Sequence, residues 1–347
     1  MLNSMYSGIS GLNANQRKLD VIGNNIANSG TTAFKASSVT FQDSMYQMIK
    51  NSSSPSLNLG GTNPSQVGLG VSVQSINVNT NQGSLQPTGR PLDLAVDQKG
   101  YFVVAKGPAE GADGKITVDP KAHTMSSSMQ TSFTRDGAFK LDPYGNLLNS
   151  NGYRVMGYAV KDATNTAPLY DGNAVYDDKF KFVNPDDKDF KAVGTELVSL
   201  RIPDSVQAKV KDSAGNLVDM DIKIQSYSIE KDGIITAVLA DGSRTALGQV
   251  AMVSFNNESG LKQLGQNMYS SSSNSGEPVL RSGKGSDKVD DNSKAYGDIV
   301  QGALEMSNTD LAVQFTDMIV ASRSFQACSK VISTGDEILQ ELVNLKR

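Results

Sequence analysis

The chain has no Trp, one His and one Cys among its 347 residues. Cys328 alone cannot close an internal disulfide, and one Cys with one His cannot build a zinc cluster. No basic block accompanies the net charge of −4, so no nucleic-acid partner is expected. No apolar run approaches the roughly 18–20 residues needed to cross a bilayer, so no membrane insertion is expected. The stretch after Met1 lacks a charged region followed by an apolar one, and a cleavable secretory signal is not expected.

The catalytic groups are as sparse. His123 lies in a polar stretch with Lys121 and Ser126 to Ser128, as a solvated loop histidine would. Cys328 sits between Ala327 and Ser329 with no base nearby, and reads as a small packing residue. Asp186-Asp187 and Asp290-Asp291 are adjacent acids in polar loops, without the cross-cleft spacing of a glycosidase. Ser282-Gly-Lys-Gly-Ser286 fails the phosphate-loop pattern at both ends, and Gly68-Leu-Gly70 lacks the third Gly of a dinucleotide fingerprint. Asp219-Met-Asp221 puts two carboxylates on one strand face, which allows a weak cation contact but no calcium loop. No enzyme and no cofactor are expected. A carbohydrate-binding module or envelope enzyme is the other class to weigh, and the missing Trp and scarce His and Cys argue against it.

What is present is helix code at both ends and strand code between. From Leu2 to Ile26 the apolar positions Leu2, Met5, Ile9, Leu12, Leu19 and Ile26 recur every three or four residues, skipping slots at Gln16 and Gly23. From Leu304 to Leu345 the positions Leu304, Leu311, Phe315, Met318, Phe325, Ile332 and Leu339 do the same. That is coiled-coil seam spacing. The first helix is expected to stop at Asn28-Ser29-Gly30. The last is expected to start on a cap at Ser307 or Asn308, with Asp310 and Lys346-Arg347 complementing its dipole. A short second helix is expected over Phe41–Ile49, then a Ser-, Asn-, Gly- and Pro-rich linker or ordered loop over Asn51–Gln66.

Strand alternation runs through Leu69, Val71 and Val73, shifts phase by one, and resumes at Ile76 and Val78, as a bulge would make it. Leu92, Leu94 and Val96 alternate, and Tyr101 to Val104 form a more buried run. From Ser132 to Tyr158 strands are punctuated by Asp136-Gly137, Tyr144-Gly-Asn146 and Asn151-Gly152, where Gly supplies the positive φ of tight turns. Residues from about Val160 to Thr195 are more polar and suggest an insertion or surface loops. Val206–Val210 and Val218–Ile224 alternate again, Asp232-Gly233 and Asp241-Gly242 mark hairpins, and Val250–Phe255 is a strand. Ser270–Lys294 is polar. The fold class is therefore α+β: antiparallel terminal helices forming a coiled-coil domain around mainly-β middle domains. The expected division is 1–35 with 303–347, a connecting segment 36–68, an inner β domain 69–158 with 227–302, and a small outer one 159–226.

Four segments carry a family resemblance. They are Leu19-Asp-Val-Ile-Gly-Asn-Asn-Ile-Ala-Asn-Ser-Gly-Thr-Thr-Ala-Phe-Lys35, Thr88-Gly-Arg-Pro-Leu-Asp-Leu-Ala-Val96 with Gly100-Tyr-Phe102, Phe133-Thr-Arg-Asp-Gly-Ala-Phe-Lys-Leu-Asp142, and Gln301-Gly-Ala-Leu-Glu-Met-Ser-Asn-Thr-Asp-Leu311 with the tail to Leu345. In this order they resemble the bacterial flagellar rod and hook proteins. Val67-Gly-Leu-Gly-Val71, Thr88-Gly-Arg90 and Leu342-Val-Asn-Leu345 resemble hook members most, while the small outer region and the long Asn51–Gln66 stretch keep the distal rod as the alternative.

The resemblance implies a homopolymer, a helical tube in the flagellum whose terminal helices line the inner wall, and, for a hook, a curved flexible tube that carries torque from rod to filament. It implies export by the flagellar type III apparatus. The implied partners are other copies, the rod and hook–filament junction proteins and the hook cap. The implied polymer interface is Leu2, Met5, Ile9, Leu12, Leu19, Asn24, Asn25, Ile26, Leu304, Asn308, Leu311, Phe315, Met318, Phe325, Ile332 and Leu339. Asn24, Asn25 and Asn28 serve either to fix register at the interface or as a hydrated helix end.

Overall fold

A computed structural model describes residues 2–55, 60–107, 115–119, 124–126, 129–161, 180–186, 190–211, 217–280 and 297–345. The chain divides into two compact units, Met1–Asn81 with Ser307–Arg347, and Gln82–Met306. His123, Asp187, Ser282–Ser286 and Asp290-Asp291 lie outside the described residues.

The first unit holds both long helices, α1 (Leu2–Ala27) and α2 (Leu311–Asn344). α1 stops where Asn28 was expected to stop it: the Asn28 side chain turns back and donates to the Asn24 carbonyl at 2.9 Å. The two helices run antiparallel. Met5 lies against Gly335, Gly8 against Ile332, and Lys18 Nζ meets Asp317 Oδ1 at 3.0 Å.

Between the helices in sequence runs a two-stranded ribbon. β1 (Ser37–Asp43) pairs with β4 (Val71–Val78), and β2 (Tyr46–Lys50) pairs with β3 (Ser65–Gly68), all antiparallel. The Ser44 amide donates to the Gly70 carbonyl and the Leu69 amide to the Met45 carbonyl, so the two pairs form one ladder. A bridge between Ser53 and Thr62 carries it further. The bulge expected from the phase shift is present: Thr40 faces Ser75 and Phe41 faces Val73, leaving Gln74 as the extra residue.

The helix expected over Phe41–Ile49 is absent, and β1 and β2 occupy that stretch. Phe41, Met45 and Met48 are spaced like a helix face, but pairing with residues distant in sequence decides the conformation. The same pairing gives the Asn51–Gln66 stretch its bridge and the start of β3.

The second unit is built on one antiparallel path of strands. In order they are Ser205–Lys211, Leu217–Ile229, Ile234–Leu239, Arg244–Val250, Arg154–Lys161, Tyr101–Lys106, Gln130–Thr134, Met268–Ser270 and Lys262–Gly265. The strand Lys191–Ser199, which begins inside the Val160–Thr195 stretch expected to be loops and runs past its end, pairs with Arg154–Lys161. Polar residues such as Lys191 and Glu196 hide its pattern, while Ala192, Leu197 and Val198 are buried. The expected hairpins at Asp232-Gly233 and Asp241-Gly242 are present, with φ of 81° and 83° at the glycines. Gly137 differs from the expected turn glycine. Its φ is not positive, and Gly is required because a Cβ there would strike the Leu94 carbonyl. The polar Ser270–Lys294 stretch contributes Val279-Leu280, which pairs with Met252–Ser254.

The core of this unit is aromatic at its centre. Phe102 and Phe139 meet edge to face at 5.2 Å, as do Phe133 and Phe255 at 5.0 Å and Tyr101 and Tyr269 at 5.6 Å. Burial raises the pKa of Tyr101 and pushes that of Tyr269 up to about 12. A phenol that stays neutral in the fold stabilises it fully below about pH 10, and this contribution is lost as pH rises through about 12. Thermal melts from pH 9 to 12 should show stability falling above pH 10. Tyr269→Phe should flatten that fall by up to about 2 kcal/mol.

Candidate assembly interface

The seam residues of α1 do not all face α2. The side of α1 turned toward α2 and the ribbon carries Gly8, Gly11, Ala14, Ile22 and Asn25, all buried. Glycine at 8 and 11 lets the helices approach closely. A Cβ on Gly11 would lie 2.8 Å from Cys328 Sγ. Cys328 is a free thiol packed into this notch. Met5 packs against Gly335 of α2, whereas Ile9, Leu12 and Ile26 each sit one residue along from a buried position, about 100° round the helix, and Leu19 lies on the flank of the same stripe. Ile9 is exposed, and Met5, Leu12, Leu19 and Ile26 are half-buried. Nothing is described of the Leu2 side chain.

α2 is wetter still. Leu311, Phe315 and Phe325 are exposed, while Met318, Ile332 and Leu339 are half-buried. Ala321 is its one buried residue among those described. Leu304 is not on this helix. It lies in the short strand Ala303–Glu305, paired with Leu85–Pro87 in the second unit, because that pairing ends six residues before the helix starts.

The cap of α2 is Asp310 rather than Ser307 or Asn308. Its carboxylate accepts the Ala312 and Val313 amides at 2.9 and 3.3 Å. Ser307 is engaged with Thr309 instead. Asp310→Ala should cost α2 about 1 kcal/mol, readable as an earlier loss of helical circular dichroism on heating.

The asparagines divide. Asn25 is fully buried. Its Nδ2 donates to the Ser37 carbonyl at 2.7 Å and to Gln314 Oε1 at 3.0 Å, and its Oδ1 accepts the Ser37 amide at 3.0 Å. One side chain thus ties α1, β1 and α2 together. Asn308 accepts the Ala36 amide and donates to the Asn79 and Asn81 carbonyls, all within 2.9 Å. Both set the internal register of the first unit. Asn24 is exposed and only receives the Asn28 amide group.

The sequence spacing missed a second apolar face on α2, which exposes Val313, Val320, Val331, Ile338 and Leu342, and it missed the exposed Ile319 that adjoins the seam one turn after Phe315. These residues fall between the seam positions, and a single-stripe reading passes over them. It also missed the ribbon, where Met45, Tyr46, Met48, Ile49 and Val67 are exposed. Both strands β2 and β3 are exposed at every position. A two-stranded ribbon with neither face covered is marginal by itself. Among the described residues, no group of acids, histidine or cysteine is placed to hold a metal, and no helix is long and apolar enough to cross a membrane.

Three family models match the chain. They are the flagellar basal body rod FlgEFG protein C-terminal region at residues 300–345, the flagella basal body rod protein at 5–35, and the flagellar hook protein FlgE/F/G D1 domain at 95–237. The flagellar basal-body rod protein FlgG of Bacillus subtilis is 37% identical over all of both chains. That of Agrobacterium fabrum is 30% identical over 97% of each. The flagellar hook protein FlgE of Borreliella burgdorferi is 29% identical in an alignment of 470 positions that covers both chains entirely. With matches at both helical ends and through the β region, the chain belongs to the flagellar hook and basal-body rod family of structural proteins.

Proposed function

We propose that this chain is a self-polymerising subunit of the flagellar axis and, within the axis, of the distal rod. The observation that carries the assembly reading is the apolar surface left wet on two antiparallel helices. Phe315 is 50% exposed and Ile319 is 63% exposed. Each such side chain gains roughly 1.5–3 kcal/mol when covered. Neighbouring copies supply that cover in a polymer, through Met5, Ile9, Leu12, Leu19 and Ile26 on α1 and Leu311, Phe315, Met318, Phe325, Ile332 and Leu339 on α2. The buried Asn25 and the half-buried Asn308 hold the helices and ribbon in the register that presents these faces. The other partners would be adjoining axial proteins and the flagellar export apparatus.

The distal rod comes first because the 37% identical rod protein aligns over 347 positions, with none added to the length of this chain. The alignments to hook proteins stretch to 470, 492 and 450 positions over the same chain. A hook subunit is the second reading, supported by the presence of those hook proteins among the relatives. Immunogold electron microscopy of detached basal bodies, with antibody against this chain, separates the two. Label on the straight segment below the hook supports the rod, and label along the curved hook overturns it.

A further inference from the structure

Both crossings of the chain between its two units lie beside one short strand pair. The chain enters the second unit at Gln82 and leaves it at Met306. Just inside, β5 (Leu85–Pro87) pairs with Ala303–Glu305 over three residue pairs. A pair this short holds weakly without support.

That support converges on two buried charges. Arg135 Nε donates to Glu305 Oε2 at 2.8 Å, and the two side chains are 1% and 0% exposed. Glu305 Oε1 accepts the Gly83 amide at 2.9 Å. The far side of the Arg135 fork donates to the Gln98 carbonyl at 2.6 Å and the Val96 carbonyl at 3.3 Å. Gln98 has a φ of +73°, a conformation that its surroundings must hold in place. Its own amide donates to Gln82 Oε1 at 2.9 Å. The Tyr101 ring closes the cluster 5.7 Å from the guanidinium.

Arginine suits this task because a planar fork can serve a carboxylate and backbone carbonyls together. Neither member lies on a helix, and neither is part of the exposed surfaces described above. The two residues come from sequence segments 170 positions apart and meet beside the two crossing points.

We propose that Arg135 and Glu305 are a staple that fastens the entering and leaving strands to the body of the second unit. In a subunit of a torque-carrying axis, force passing along the covalent chain between the units goes through residues 81–82 and 306–307. The staple keeps that force from peeling the β5 pair, a two-stranded sheet of its own, away from the body of the unit. Its use in the axis rests on the assembly reading, but its existence does not, so it is tested on the free chain.

The experiment is hydrogen exchange by mass spectrometry on the full chain. Replacing Arg135 alone by an apolar residue leaves a buried charge uncompensated and threatens the whole unit. The double variant Arg135→Met, Glu305→Leu removes both charges at similar volume. Peptides covering residues 83–87 and 303–306 should exchange at least about tenfold faster in it, while 101–106 and 234–239 stay within about twofold. Arg135→Lys, which keeps the charge and loses the fork, should give a smaller acceleration at the same two segments, and it decides the question if the double variant does not fold. Unchanged exchange at the crossing strands overturns the proposal. So does an equal acceleration throughout the unit, which marks an ordinary core pair.

Discussion

Phe315→Asp is expected to leave the subunit folded and to stop it from assembling. Phe315 sits half-exposed one turn into α2, close after the Asp310 cap, so an acid there loses little packing and is favoured by the helix dipole. The cost to helix propensity is about 0.5 kcal/mol. In the proposed polymer the same position would be covered by another copy. The variant then forfeits roughly 1.5–3 kcal/mol of apolar burial and must also desolvate a carboxylate. A loss of about 3 kcal/mol is about a 150-fold rise in the concentration needed for assembly. Sedimentation across a concentration series would show it. Wild-type-like assembly by this variant would remove α2 from the interface.

Phe102→Ala is expected to act in the opposite way, striking the fold and not the surface. Phe102 is fully buried at the centre of the second unit, its ring against Phe139. Truncation leaves a cavity that surrounding strands cannot collapse into, at a cost of about 3–5 kcal/mol. For a unit of this size each kcal/mol lowers Tm by about 2–4 °C, so a drop of about 10 °C is expected by calorimetry. A shift of only a degree or two would mean the aromatic cluster is not the stabilising centre.

These two sites also show what the sequence made legible. The α+β layout, both terminal helices, the bulge at Gln74 and the glycine hairpins at Gly233 and Gly242 follow from local periodicity and turn chemistry. The ribbon strands β1 and β2 do not. Phe41, Met45 and Met48 carry helix spacing, and only partners some twenty to thirty-five residues away make them strands. The cap moved from Ser307 or Asn308 to Asp310 because Asn308 was taken by the Ala36 amide and the Asn79 and Asn81 carbonyls, contacts invisible in one dimension. The α1 stripe is legible as apolar in the sequence, but which way it faces is not. Close helix approach favours glycine, so Gly8 and Gly11 took the buried side and left Ile9 outside. Spacing identifies which residues form a face, but the small residues beside it decide what that face meets.

Other copies of the same chain are expected to complete the helical faces. The most direct measurement is electron microscopy of the purified full chain at rising concentration, beside Phe315→Asp. Tubes should form above a threshold concentration for the natural sequence, while the variant should show none across the same range. A natural chain that stays monomeric and dispersed at every concentration, or a variant that forms the same tubes, would contradict it.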